Sequence, residues 1–465
     1  MIGADVLYLT VAELGQRIRS RSLSPVELTE AYLQRSERLG PRLNAYATIT
    51  RALALEQARA AEREIGAGNY RGPLHGTPYA AKDLLAVKGY PTTWGARPFA
   101  QQQFDYDATV IRKLSSAGAV LIGKAAMIEL AGGMGYRFAS ASLTGAAKNP
   151  WNESCWTCGS SSGSGAIVAG ALAAFAIGTE TWGSIICPSA FCGVSGLRPT
   201  FGRVSRHGAM ALAYSMDKIG PMARSAEDCG LVLSTIAGHD ADDPQSLPPD
   251  LAGFTASPAS APVPRVGWVT NQWKKLDKDV ETSAASARDA LTRAGAQVTD
   301  VRLPEGPWDT AAGIVVSVEG ASAFEALIDS GKVSELIDPA GKIGGYISRE
   351  ISSDDYVRAQ RIRGVSQRKM NELFENVDVL VTPSLPTTAS SIDANLEEVL
   401  NFPDPLGALG NMCGLPALSV PCGFSAGKPL GLQFVARELD DAAAVRAASL
   451  FQQVTDWHRR RPPLP

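Results

Sequence analysis

The chain has 465 residues, long enough for a large buried core, with a formal net charge of -3 and 20% charged residues. That balance lacks the basic footprint of a nucleic-acid binder, and no block of like charges marks an interaction tail. The amino terminus shows no basic segment followed by an apolar run, and the Gly/Ala-rich stretch from Gly165 to Ile177 is too short to span a bilayer. A soluble, cytoplasmic protein is expected, with neither membrane nor nucleic acid as partner.

The first 70 residues read as a helical layer. Thr10 and Glu13 fit a capping box, followed by Val11, Leu14 and Ile18 at helical spacing. Ser24-Pro25-Val26-Glu27 combines an N-cap serine, proline at the first helical position and glutamate three residues after the cap. An Ala/Glu-rich helix is predicted over 51–66. From 75 to 235, glycine-flanked apolar runs such as Ala119–Ile122 and Ala173–Ile177 read as buried strands alternating with helices, the pattern of a layered α/β fold. The segment 239–264, rich in proline and aspartate, reads as an exposed crossing loop. Beyond it, strands are predicted at Arg265–Val269 and Gln297–Leu303 around a helix over 278–294, and again at Val377–Val381, Ala417–Val420 and Leu430–Val435.

The seven cysteines are an odd number in a long chain and read as reduced structural thiols rather than a disulfide framework. Cys155 and Cys158 form a lone CxxC. The four histidines are scattered singly, so a zinc site lacks its second ligand pair and no metal is expected.

Three segments carry chemistry: Gly76–Asp83 with Lys82, Cys158–Gly165 with its run of serines, and Gly178–Ile185, read Gly-Thr-Glu-Thr-Trp-Gly-Ser-Ile. Taken singly they are bland. A Gly/Ser loop before an apolar helix is most often a turn. It can also hold phosphate, although this one lacks the GK[ST] ending of a P-loop. A lone serine before a helix is usually a cap, and a lone lysine usually a solvated end.

Together the three segments resemble the amidase signature family. The serine loop, the GTETWGS turn and Lys82-Asp83 match its motifs, and its fixed spacing selects Ser160 and Ser184. Gly123-Lys124, Met127–Glu129, Asn149–Trp151, Pro188–Gly193, Gly196–Thr200, Asp378–Pro383 and Gly414–Pro421 extend the resemblance along most of the chain. It implies one domain over 1–465, with 75–235 as its catalytic core. The fold implied is α/β/α, a mixed central sheet covered by helices on both faces.

The resemblance also implies a triad: Ser184 as nucleophile, Ser160 as a relay after a cis peptide bond, and Lys82 as base, with no cofactor. Serine needs a base to become nucleophilic, and lysine serves only when burial or neighbouring charge lowers its pKa. The backbone N–H groups of Thr181, Trp182, Gly183 and Ser184 are expected to form the oxyanion hole. Gly133, Met134 and Gly135 match the family's substrate loop, the alternative being a plain turn.

Departures from the family pattern fall around the triad. Trp182 stands where glycine is frequent, Ile186 where arginine is, and Ser162 where glycine is. They bear on substrate rather than on reaction class. The GTETWGS turn looks like that of a urethanase-like or aryl-amidase branch. The expected function is hydrolysis of small amides by a monomer or homodimer, with esters and carbamates within reach of the same chemistry. The alternatives are the amide-hydrolysing subunit of a tRNA-dependent amidotransferase and a non-catalytic phosphate-binding or interaction protein.

Overall fold

A computed structural model describes residues 2–254 and 262–465. Among the described residues, eleven strands join in one mixed sheet. In chain order the strands are β1 (Tyr46–Ile49), β2 (Pro78–Lys82), β3 (Val120–Ala125), β4 (Lys148–Asn149), β5 (Asn152–Trp156), β6 (Phe175–Glu180) and β7 (Ser195–Arg198). They continue with β8 (Lys218–Ala223), β9 (Arg265–Val269), β10 (Gln297–Val301), β11 (Val379–Pro383), β12 (Ala417–Ser425) and β13 (Lys428–Ala436). The sheet runs β1-β3-β2-β6-β8-β7-β12-β13-β11-β9-β10, while β4 and β5 form a separate hairpin. Pairing is parallel along β3-β2-β6 and along β11-β9-β10, and antiparallel through the middle.

Helices lie on both faces. Side chains alternate along a strand, and on β13 Phe434 meets Phe451 of the Asp441–Gln453 helix, their ring centroids 6.2 Å apart. Gly431, on the opposite face, meets the Ile186–Cys192 helix. A Cβ there would stand 2.6 Å from the Ala190 side chain, so only glycine permits that approach.

The amino-terminal layer forms as its caps predict. Thr10 and Glu13 make both bonds of a capping box, and the next helix runs Val11–Arg19. Ser24 accepts from Glu27 N with Pro25 at the first helical position, and Arg51–Gly66 is helical as expected. Leu14, Ile18, Leu28 and Tyr32 are buried from these helices.

Two expectations change. The segment 239–264 is not simply exposed. Asp243, Ser246 and Ala252 are buried within it, because Asp243 pairs with Arg206 at 3.0 Å and Asp240 accepts from Thr109 and Ser205. Residues 255–261 of this segment lie outside the described residues. The second change concerns thiols. Cys158 and Cys187 are joined by a disulfide, their Cα atoms 5.8 Å apart and 29 residues apart in sequence. The pair forms because the serine loop and the helix after Ser184 meet only in the fold. The other five cysteines, Cys155 among them, are free and buried.

Candidate active site

Strand β2 delivers Lys82 at its carboxyl end, fully buried. Its Nζ donates to Ser160 Oγ at 2.7 Å, Thr179 Oγ1 at 2.9 Å and Ser161 Oγ at 3.1 Å. Three hydroxyls therefore receive the three donors of an ammonium, without a carboxylate. Burial pushes the Lys82 pKa down to about 7, against the opposing pull of the Asp217 and Glu180 charges. The neighbouring Asp83 is engaged elsewhere. It forms a buried ion pair with Lys124 of β3 at 2.8 Å and accepts from Thr93, which fixes the strand end that carries Lys82.

Ser160 follows a cis peptide bond from Gly159, as the resemblance implies. The next turn begins the Ser162–Ala169 helix, buried along its whole length. Ser184 lies between β6 and the Ile186–Cys192 helix and is 9% exposed. The two serine segments touch through the backbone, Ser161 N donating to Ser184 O at 3.4 Å. Among the described residues Ser184 Oγ makes no hydrogen bond, and neither do the N–H groups of Trp182, Gly183 and Ser184. A turn with free donors beside a serine is what a developing oxyanion requires. Gly183 has φ +80°, a left-handed value that favours glycine, whereas Trp182 has no positive φ.

Glu180 fixes the far side of this turn. Its Oε2 accepts from Ile185 N at 2.8 Å and Ile186 N at 3.0 Å, and its Oε1 takes Arg198 Nη1 at 2.7 Å. Burial works against the charge, yet Arg198, the Ile186 N–H and Lys218 outweigh it and hold Glu180 down at about 2. Thr181 Oγ1 donates to Asp217, whose carboxylate also accepts from Leu212 N and Ala213 N. Trp182 Nε1 donates to Asp404 Oδ2 at 2.9 Å. Its ring joins an apolar cluster in which Ile186, Leu212 and Val315 are buried and Ile314 and Val316 are partly open. Thr179 and Thr181 also line a cavity of about 180 Å³, which reaches Tyr214 and Lys218 but not the two serines.

The Gly132–Gly135 segment is reached through a strained turn, with Leu130 and Ala131 at φ +50° and +54°. Glu129 anchors it by accepting from Ile337 N and Asp338 N at 2.9 and 3.0 Å. Gly133 faces Phe324 and Leu212, and Gly135 is exposed. Met134 is buried beneath the Pro339–Arg349 helix, close against Gly344 and Gly345.

A family model described as amidase matches residues 27–445 of this sequence. The chain belongs to the amidase family. It is an amidase-signature hydrolase acting on C–N bonds. Over 99% of both chains it is 36% identical to the A subunit of the glutamyl-tRNA(Gln) amidotransferase of Chloroflexus aggregans. Among solved structures, the native peptide amidase of Stenotrophomonas maltophilia superposes with a TM-score of 0.84 at 30% identity, covering 98% of both chains. A bacterial aryl acylamidase of the amidase signature family shares the fold, with a TM-score of 0.83 at 24% identity over 98% of this chain and 99% of that one.

Several residues that build this amidase site escape a reading of the sequence. Ser161 and Thr179 stand inside the recognised motifs, but nothing marks their hydroxyls as acceptors for Lys82. Asp217, Gln272, Asp404 and Asn411 belong to no motif. Only the fold brings them to the turn.

Proposed function

We propose that this amidase works as a stand-alone hydrolase of small uncharged amides, anilides and aryl carbamates. The observation that carries the reading is the fully buried Lys82, which has only hydroxyl partners and a pKa brought down to about 7. A lysine so placed is neutral often enough to act as a base.

In this reading Ser184 Oγ attacks the carbonyl carbon as its proton passes to Ser160 Oγ, and the Ser160 proton passes to Lys82 Nζ. The carbonyl oxygen becomes an oxyanion against the N–H groups of the 181–184 turn. The relay returns a proton to the departing nitrogen, the amine leaves and an acyl-enzyme remains. Water then attacks, giving its proton to the same relay, and releases the acid. With a carbamate the amine leaves first and Ser184 carries an alkyl carbonate. Hydrolysis of that ester gives a carbonic monoester, which decays to alcohol and CO2. An aromatic amine is the better leaving group, so aryl substrates should exceed alkyl ones.

The apolar cluster packed around Trp182, two residues before Ser184, supports the choice of substrate. Trp182, Ile314 and Val316 carry no charge, and the Asp404 carboxylate is engaged by the Trp182 indole, Gln272 and Gly407 N. A second reading, the amide-hydrolysing subunit of a tRNA-dependent amidotransferase, is favoured by the full-length 36% identity to the Chloroflexus aggregans protein. The test is to incubate the pure chain with an N-aryl carbamate, its matching anilide and glutamine, with Ser184→Ala as control. Cleavage of the carbamate and the anilide supports the proposal. Cleavage of the anilide alone rejects the carbamate part. Ammonia from glutamine alone would favour the second reading.

A further inference from the structure

The short helix Pro405–Met412 touches the 180–186 turn at both of its ends. At its start, the N-cap Asp404 accepts from Gly407 N at 3.0 Å and from Gln272 Nε2 at 2.7 Å, both through Oδ1. Its other oxygen takes the Trp182 indole at 2.9 Å. Gln272 is itself fixed, because its Oε1 accepts from Leu406 N at 2.9 Å. At the last turn of the helix, Asn411 Nδ2 donates to Glu180 Oε1 at 3.2 Å and to Gly407 O at 2.9 Å. Glu180 in turn takes the N–H groups of Ile185 and Ile186. The turn is thus gripped before and after Ser184 by one rigid element that lies more than 200 residues away in sequence.

We infer that the Pro405–Met412 helix is a brace for the oxyanion turn, with Asp404 acting through Trp182, and Asn411 through Glu180, as positioning residues. The inference rests on the proposed role of Ser184 and of the 181–184 N–H groups. Its physical basis is that Gly183 has φ +80° and that a Cβ built on it would meet nothing within 4 Å, so no side-chain packing fixes the turn at that residue and its backbone is free. The indole is the largest side chain among residues 181–184. Tying it to a fixed carboxylate orients the peptide planes on either side of residue 182. Oxyanion donors act through their aim, and a displacement of about 1 Å can cost about a hundredfold in rate.

The brace has an asymmetric prediction. Trp182→Phe keeps an aromatic ring but removes the N–H donor together with the five-membered half of the indole, so the Asp404→Asn single variant, which leaves the indole in place, is the control for lost packing. Asp404→Asn cannot serve all three of its donors. With its oxygen toward Gln272 and Gly407, its amide NH2 faces the indole N–H. In the Trp182→Phe background that conflict disappears. The experiment measures kcat and KM of the two single variants and the double variant on a small amide and a bulky anilide, together with thermal midpoints and fluorophosphonate labelling of Ser184.

The expected result is a fall in kcat of about ten- to a hundredfold for each single variant on both substrates, with KM of the small amide within about twofold. The double variant should be no slower than the slower single. A Trp182→Phe kcat within about twofold of the parent overturns the brace. So does a loss confined to KM of the bulky substrate, which would make the indole a pocket wall only. Losses that multiply in the double variant overturn it as well. Labelling keeps the two ideas apart. If the parent is not labelled at Ser184 the nucleophile reading fails, whereas a labelled parent with an indifferent Trp182→Phe variant loses only the brace.

Discussion

Replacing Glu180 by glutamine should destabilise the folded protein by about 3 kcal/mol at pH 7. Glu180 is fully buried, accepts from two backbone N–H groups and from Arg198, and is held at about 2, below its ordinary value of 4.5. Each unit of such a shift corresponds to about 1.4 kcal/mol, which gives the figure. Leaving a buried Arg198 without its counter-charge costs about 3 to 5 kcal/mol by an independent route. The pH dependence carries the same signature. The folded pKa lies below the unfolded one, so the contribution is complete above the unfolded value and drains away as pH falls toward about 2. By pH 3 more than half of it should be gone. The assay is urea unfolding of parent and Glu180→Gln at pH 7 and at successively lower pH, followed by circular dichroism. A gap under about 1 kcal/mol at pH 7, or one that stays constant down to pH 3, would refute the reasoning.

Other consequences follow from the same geometry. Ser184→Ala and Lys82→Ala should each remove nearly all amidase activity with little change in thermal midpoint, since a nucleophile and its base act as a unit. Ser160→Ala should be severe but leakier, because water can replace a relay hydroxyl. Near-normal turnover by Ser184→Ala would refute that assignment. Activity should rise through about pH 7 as Lys82 loses its proton, with roughly a tenth of the sites neutral at pH 6, and a profile already flat from pH 5 to 8 would exclude Lys82 as the base. Thiol titration of the unfolded, unreduced protein should count five free cysteines, and seven after reduction, since Cys158 and Cys187 are paired. A count of seven without reductant would show that the bridge is absent. EDTA should leave turnover unchanged, and inhibition reversed by one added metal would contradict the mechanism.

Much of the fold can be read from local chemistry. The Thr10–Glu13 box, the Ser24-Pro25 start, the Arg51–Gly66 helix and strand Arg265–Val269 all rest on short-range signals. Strand β6 is harder. Its apolar run suggests 173–177, but it continues through Thr179 and Glu180. A Thr-Glu pair reads as loop, and it is tolerable inside a sheet only because Arg198 and Lys82 wait for it in the fold. Strand β1 gives no clear signal because Tyr46–Ile49 is short and half-buried.

The candidate site divides in the same way. Lys82, Ser160 and Ser184 sit in motifs whose spacing can be recognised. Asp404-Pro405 marks a helix start by its cap and first-position proline, but nothing in the sequence marks what Asp404 and Asn411 touch, because their contacts with Trp182 and Glu180 span more than 200 residues. The Cys158–Cys187 bridge is illegible in the sequence for the same reason. Residue type predicts a thiol's chemistry, but only topology predicts its neighbour.

The most direct test of the account is to treat the pure protein with a fluorophosphonate, digest it and locate the adduct by mass spectrometry. The account predicts a single modified peptide carrying the adduct on Ser184, labelling that rises with pH through about 7, and none in Ser184→Ala. Labelling at Ser160 instead, or amide hydrolysis that continues with Ser184 unmodified, would contradict it.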